Sequence, residues 1–284
     1  MSGWNETYPA PAKLNLFLHV VGRRADGYHR LQTAFQLIDR GDAIRFVARA
    51  DGRVVRTRGL ATVAAEDDLT VKAAQLLQRE SGCSRGVDIA VEKRLPMGGG
   101  LGGGSSDAAT VLLALNRLWG IDWPRARLQA LGLQLGADVP FFVFGRNAFA
   151  EGVGEVLQPV PLPPAWYLVV EPPVAVPTAE IFAAADLTRN SKSIKMADFS
   201  AGWAHAAGRN DLQPVACRRY PEVARAVEWL GQFADARMTG SGACVFAPFA
   251  AERQALDILA RIPGDLRGWV ARGLDRHPLL HLAD

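Results

Sequence analysis

Between residues 13 and 20 the chain alternates strictly. Leu14, Leu16, Leu18 and Val20 point one way, and Lys13, Asn15, Phe17 and His19 point the other, as successive side chains of a strand must. Taken alone, this puts Lys13 and Asn15 on the polar, solvent-exposed face of a strand. Segments 43–49 and 53–58 flank Asp51-Gly52, which has the composition of a two-residue hairpin turn. The pattern predicts a helix over 67–81, opened near Asp67 or Asp68 and stopped by Gly82, then a strand over 87–93. A helix follows over about 106–119, closed by Gly120. Another covers 124–135, with proline in its first turn and Gly136 as its stop. The short apolar run 140–144 reads as a strand.

Closely spaced prolines at 159–164 can sustain neither a helix nor a central strand, so the chain is expected to divide there into units 1–158 and 159–284. The second unit shows a strand over 166–170, a helix over 221–233, a strand over 243–246 and a helix over 251–262. That order suits an α+β domain.

Composition narrows the function classes. The 284 residues are 49% hydrophobic and 21% charged, enough for real cores in about two domains at roughly 150 residues each. No run of about 18 uncharged apolar residues occurs, and the first eight residues lack a basic-then-apolar order. Neither a membrane span nor a signal peptide is expected. The net charge is +3, and the basic residues are scattered. This argues against a nucleic-acid surface and suits a small anionic substrate. Cys83, Cys217 and Cys244 are odd in number and lack CxxC spacing. They read as reduced thiols of a cytoplasmic protein, with no disulfide framework or zinc site.

The strongest local signal is Leu95-Pro-Met-Gly-Gly-Gly-Leu-Gly-Gly-Gly-Ser-Ser-Asp107, set between a strand and a helix. Its glycines expose backbone N–H groups and permit positive φ, so the chain can wrap an anion. The helix that follows adds free N-terminal donors and the positive end of its dipole. Ser105 or Ser106 can cap that helix or offer a hydroxyl to a phosphate or metal. A polyphosphate ligand fits best. Gly98, Gly100 and Gly103 also satisfy G-x-G-x-x-G, but the acidic residue about 20 positions on should end a strand. Asp122 instead precedes Trp123-Pro124 and a helix. No Gly-Lys-Ser/Thr closes the turn, so the cradle must borrow positive charge from elsewhere. Lys13 and Asp138 could supply a cation for the phosphate and a base for an acceptor hydroxyl. The turn Met238-Thr-Gly-Ser-Gly242 reads equally as a hairpin and as a ligand contact, and Asp26-Gly-Tyr-His29 as a turn bearing an aromatic and an imidazole.

Pro11-Ala-Lys-Leu-Asn-Leu16, the glycine-rich turn and Met238-Thr-Gly-Ser-Gly-Ala-Cys244 resemble, in order, the three motifs of the GHMP small-molecule kinases. Asp26-Gly-Tyr-His-Arg-Leu-Gln-Thr33, Leu135-Gly-Ala-Asp-Val-Pro-Phe-Phe142 and Ala150-Glu-Gly-Val-Gly-Glu155 resemble the branch whose acceptor carries a cytidine diphosphate. The resemblance implies an α+β two-domain fold, with an N-terminal half like the second domain of ribosomal protein S5 and a ferredoxin-like C-terminal half. It implies ATP-dependent phosphorylation of a methylerythritol hydroxyl in non-mevalonate isoprenoid precursor synthesis.

By the same resemblance, Asp138 is the base and Lys13 orients it. Pro96, Met97, Gly98, Gly99, Gly100, Leu101, Gly102, Gly103, Gly104, Ser105 and Ser106 hold the ATP phosphates. Lys93 and Asp68 serve the adenine, Asp68 standing where the family commonly has Asn. Tyr28 and Phe182 stack on the cytosine, His29 reads its polar edge and Thr178 lies nearby. Asn15 and Gly240 complete the substrate site. Mg2+ is expected with ATP, with Ser105, Ser106 and Asp107 as candidate ligands. The expected partners are ATP and the cytidyl substrate, without nucleic acid or membrane, and at most a weak homodimer.

Overall fold

The computed structural model describes residues 3–197, 199 and 209–284. Its axis is a long antiparallel ribbon of β1 (Thr7–Arg23) and β2 (His29–Arg49), running in register from Thr7 opposite Arg45 to Arg23 opposite His29. The register shifts between Pro11 and Ala12, Asn15 and Phe17, and Val20 and Gly22. Such bulges bend a strand and re-aim its side chains. Both faces of mid-β1 are buried, Lys13, Asn15 and His19 included, so the solvent-exposed face expected for Lys13 is corrected. The glycine-rich turn closes over it, with Lys13 N donating to Leu101 O at 3.0 Å.

Three further strands pair with β2. β4 (Gly86–Glu92) lies along residues 43–49, β5 (Ala148–Glu151) along 33–35, and β10 (Arg267–Leu274) at Leu37 and Ile38. β5 continues to β6 (Val156–Pro159). β3 (Val54–Arg58) does not fold back on β2 but runs parallel beside β4, which overturns the hairpin. Asp51-Gly52 does turn the chain, with Gly52 at φ +71° and the Asp51 carboxylate accepting from Arg53 N at 3.1 Å. The edge of β2, however, is taken by β4, whose Val87, Ile89 and Val91 join Ile44 and Phe46 in one core.

Helix α1 (Leu69–Ser81) starts and stops as its sequence dictates, with Asp68 accepting from Thr70 N and Gly82 in the left-handed region at φ +68°. Helix α2 (Gly103–Leu118) begins three residues earlier than expected, directly after Gly102 at φ +72°. Helix α3 spans Arg125–Leu133. The expected strand at 140–144 is instead helix α4 (Val139–Phe144), with proline in its first turn and Gly145 as its left-handed stop. A short apolar run has no periodicity that separates a buried strand from a buried helix. Phe141 and Phe142 are buried on α4, in the cluster that also holds α2.

In the other half, β7 (Trp166–Glu171) lies between β10 and β9 (Val245–Phe249), with β8 (Arg237–Met238) at the edge. Helices α5 (Thr178–Ala183), α6 (Gln213–Arg219), α7 (Pro221–Gly231) and α8 (Glu252–Leu259) carry the rest. The β2–β10 pairing makes the two sheets continuous. A third apolar cluster, including Leu14, Phe17, Phe149, Tyr167 and Phe246, draws on strands of both halves. Leu279 and Leu282 join the core of the first half.

Candidate active site

A cleft of about 1010 Å3 runs along the glycine-rich turn and is lined from both halves of the chain. The turn's shape demands glycine. Gly98, Gly100 and Gly102 have φ of +64°, +72° and +72°, where a Cβ is penalised. A Cβ on Gly100 would stand 2.0 Å from the Thr239 carbonyl oxygen, and one on Gly102 would stand 2.9 Å from the Phe142 ring. The turn can therefore lock onto the second Gly/Ser turn. Ala243 N donates to Gly98 O at 2.9 Å, Cys244 N to Gly99 O at 3.2 Å and Thr239 Oγ1 to Gly100 O at 3.2 Å. The start of α2 opens into the cleft with no acidic residue in its first turn, leaving its N–H groups and dipole for an anion.

Lys13 and Asp138 come together here. Lys13 Nζ lies 3.5 Å from Asp138 Oδ2, donates to Asn15 Oδ1 and sits 5.5 Å from the centroid of the Phe35 ring. Burial pushes the Lys13 ammonium below the usual lysine pKa, and the Asp138 carboxylate offsets only part of that. Asp138 occupies the N-cap position of α4, yet its side chain makes no cap hydrogen bond. Its carboxylate is left to face Lys13 and the cleft. Asn15 is fixed in turn, its N donating to Thr239 Oγ1 at 3.0 Å and its Nδ2 to Thr33 Oγ1 at 2.9 Å.

One end of the cleft is apolar and acidic, bounded by Leu60, Val63, Leu69 and Val91 together with Asp68, Lys93 and Asp107. Lys93 Nζ bonds Asp42 and lies 2.8 Å from Asp107 Oδ2. Burial pulls Lys93 down, but the two carboxylates outweigh it and hold its pKa above the usual value. Burial also raises the Asp107 carboxyl, against the pull of Lys93. At Asp68 burial acts upward, yet bonds from Thr70 and Arg56 hold the carboxyl low.

At the other end stand Tyr28, 67% exposed, and His29, stacked on Phe182 with centroids 5.1 Å apart. Thr178 Oγ1 meets Ser241 Oγ at 2.7 Å. Of the site residues expected from sequence, all line this cleft except Ser106. The Ser106 hydroxyl donates to Pro11 O at 2.7 Å in the core, where it fixes α2 to β1 and is unavailable to a ligand.

Sequence reasoning missed several supporting residues. Phe35 underlies the ammonium. Asp42, fully buried, pins the strand-to-turn junction by accepting from Arg94 N at 2.6 Å and Leu95 N at 2.9 Å. Arg189 bonds His29. None of the three carries a signal in the sequence: Asp42 closes the polar run Asp39-Arg40-Gly41-Asp42 of β2, and Phe35 and Arg189 matter only through their contacts.

Residues 68–146 match the model of the GHMP kinases N terminal domain and 197–266 that of the GHMP kinases C terminal. Fold and cleft thus define an ATP-dependent small-molecule kinase of the GHMP class. A 4-diphosphocytidyl-2-C-methyl-D-erythritol kinase of Thiobacillus denitrificans is 64% identical over 275 residues, covering 97% of this chain and 98% of that protein. One of Aromatoleum aromaticum is 64% identical over 271 residues, covering 95% and 94%. A crystal structure of 4-(cytidine 5'-diphospho)-2C-methyl-D-erythritol kinase superposes with a TM-score of 0.83 at 34% identity, covering 94% of this chain and 99% of that one. The chain belongs to the 4-diphosphocytidyl-2-C-methyl-D-erythritol kinase family. A mevalonate kinase structure, at 15% identity and a TM-score of 0.69, shares the fold. Among the described residues no helix is long and apolar enough to cross a membrane.

Proposed function

We propose that the protein transfers the γ-phosphoryl group of ATP to the 2-hydroxyl of 4-diphosphocytidyl-2-C-methyl-D-erythritol. The observation that carries this reading is the 3.5 Å Lys13–Asp138 pair in the same cleft as the glycine cradle and the Tyr28–His29–Phe182 group. The acceptor oxygen attacks the γ-phosphorus, the bond from that phosphorus to the β,γ-bridging oxygen breaks, and ADP leaves. The hydroxyl proton passes to the Asp138 carboxylate. Lys13 orients that carboxylate and offsets charge on the transferring group.

The N–H groups of residues 98–105 hold the phosphates, and the end with Asp68 and Lys93 takes the adenine. Tyr28 and Phe182 stack on the cytosine, because an aromatic face gives affinity, while His29 supplies selection. Asn15, Thr178 and Gly240 line the way between base and acceptor. The catalytic machinery spans two lobes that divide near residue 159.

Mg2+ fits as an ion carried on ATP. No group of three His, Cys, Asp or Glu side chains converges among the described residues, and Mg2+ bound to nucleotides needs few protein oxygens. Ser105, which lines the cleft together with Asp138, is the side chain suited to hold it, and the ion would neutralise phosphate charge.

A coupled ADP-release assay with cytidyl-methylerythritol, mevalonate and homoserine as acceptors tests the reading. Turnover is expected with the first alone. Preferred turnover of mevalonate or homoserine would refute the cytidyl assignment.

A further inference from the structure

His29 and Phe182 come from opposite halves of the chain, and one side chain ties them together. Arg189 donates from Nε to His29 Nε2 at 3.1 Å. Its Nη1 donates to Leu187 O at 3.1 Å, and its Nη2 to Phe182 O at 3.1 Å and Ala184 O at 2.6 Å. The guanidinium grips the end of α5, whose last turn carries Phe182, and sets that ring against the imidazole at 29° between planes.

An arginine side chain has only donors and keeps its charge. The ring nitrogen it meets must therefore be bare. Burial, followed by the charges of Arg189 and Arg23, holds His29 below the usual histidine pKa and so neutral at pH 7. The ring's one proton is left on Nδ1, and His29 lines the cleft.

We propose that Arg189 is a positioning residue that fixes His29 as an Nδ1–H donor, so that the pocket accepts cytosine and rejects uracil. The inference rests on the proposed seating of the base at Tyr28 and Phe182. Cytosine N3 carries a lone pair that such a donor can meet, whereas O2 accepts in both bases and cannot tell them apart. Uracil carries hydrogen on N3, and donor would face donor. A site built around one hydrogen bond discriminates well because the wrong partner leaves a polar group unpaired.

The test has two parts. In protein labelled with 15N at histidine, long-range 1H–15N correlations report the tautomer, and His29→Asn assigns the signals. The unliganded wild type is expected to show His29 as the Nδ1–H form at neutral pH. An Nε2–H form, or an imidazolium, overturns the proposal without any appeal to activity.

In the second part, Arg189→Met should release the tautomer toward Nε2–H. It should also lower the ratio of kcat/KM for the cytidyl substrate over its uridyl counterpart by about tenfold. The loss should fall on KM for the cytidyl substrate and not on KM for ATP. A changed tautomer with an unchanged ratio overturns the selectivity. If wild type phosphorylates no cytidyl acceptor, the proposed function fails and takes the selectivity with it, whereas the tautomer result still decides the role of Arg189.

Discussion

Lys13 and Asp138 form an unequal pair: the ammonium is 3% exposed and the carboxylate 32%. A buried cation beside a carboxylate that reaches the cleft is the arrangement a proton acceptor needs. In the proposed mechanism Asp138 takes a proton from an acceptor hydroxyl and releases it to water, while Lys13 stays fixed.

Asp138→Asn removes the proposed base and keeps the shape. General bases contribute about 100- to 10,000-fold, so kcat should fall by at least about 100-fold. ATP affinity, measured by equilibrium titration, should stay within about threefold, because the base acts in the transition state. A kcat within about threefold of wild type, under 1 kcal/mol, would take Asp138 out of the chemistry.

Lys13→Met separates function from stability. The folded pKa of Lys13 lies below its usual value of 10.5 because burial disfavours the charge. Between the lowered value and 10.5 the unfolded chain binds more protons than the folded one, so this group makes stability rise with pH in that window. At neutral pH methionine removes a buried charge, and the Asp138 carboxylate it leaves behind is 32% exposed and open to water, so the penalty for orphaning a buried partner does not apply. The variant should lose most of its kcat while Tm holds or rises by about 2–4 °C. Wild-type kcat/KM should decline on the alkaline side before the ordinary lysine range is reached, as Lys13 loses its proton. A large fall in Tm, or a profile level up to the ordinary lysine range, contradicts this account.

Two glycines of the cradle should respond in opposite ways. Gly100→Ala sets a Cβ 2.0 Å from the Thr239 carbonyl at φ +72°, which forces the two turns apart and strains the backbone by about 1–2 kcal/mol before the clash is counted. Gly104 is helical, and its nearest neighbour to a new Cβ is Leu69 Cδ1 at an ordinary 3.4 Å. Calorimetry should show Gly100→Ala well below wild type in Tm and Gly104→Ala equal or higher, since alanine loses less backbone freedom than glycine on entering a helix. Equal Tm values for the two would refute the lock between the turns.

Tyr28 is 67% exposed, so Tyr28→Ala should leave Tm unchanged. Loss of stacking should raise KM for the cytidyl substrate by about 1–3 kcal/mol in binding terms, with KM for ATP unaltered. An unchanged KM for the cytidyl substrate would remove Tyr28 from the base site.

Much of this was legible in the sequence because it depends on local chemistry. Asp68 and Gly82 mark both ends of α1, and the glycine run needs its positive φ values wherever the chain goes. What failed depends on neighbours. Val139–Phe144 is helical because of what it packs against, and β3 joins β4 because the edge of β2 is already filled. Lys13 looked like a surface lysine until the turn at Leu101 covered it. Arg189 was invisible, since its meaning lies in a contact with a ring 160 positions away. The family motifs brought Lys13 and Asp138 to notice, but no spacing in the chain could place them side by side.

The most direct test of that convergence is a double-mutant cycle in single-turnover phosphoryl transfer from ATP to the cytidyl acceptor. If Lys13 and Asp138 act as one unit, Lys13→Met combined with Asp138→Asn will be no more than about threefold slower than Asp138→Asn alone. If the two losses multiply in full, the pair does not share one step, and the account of the site is wrong.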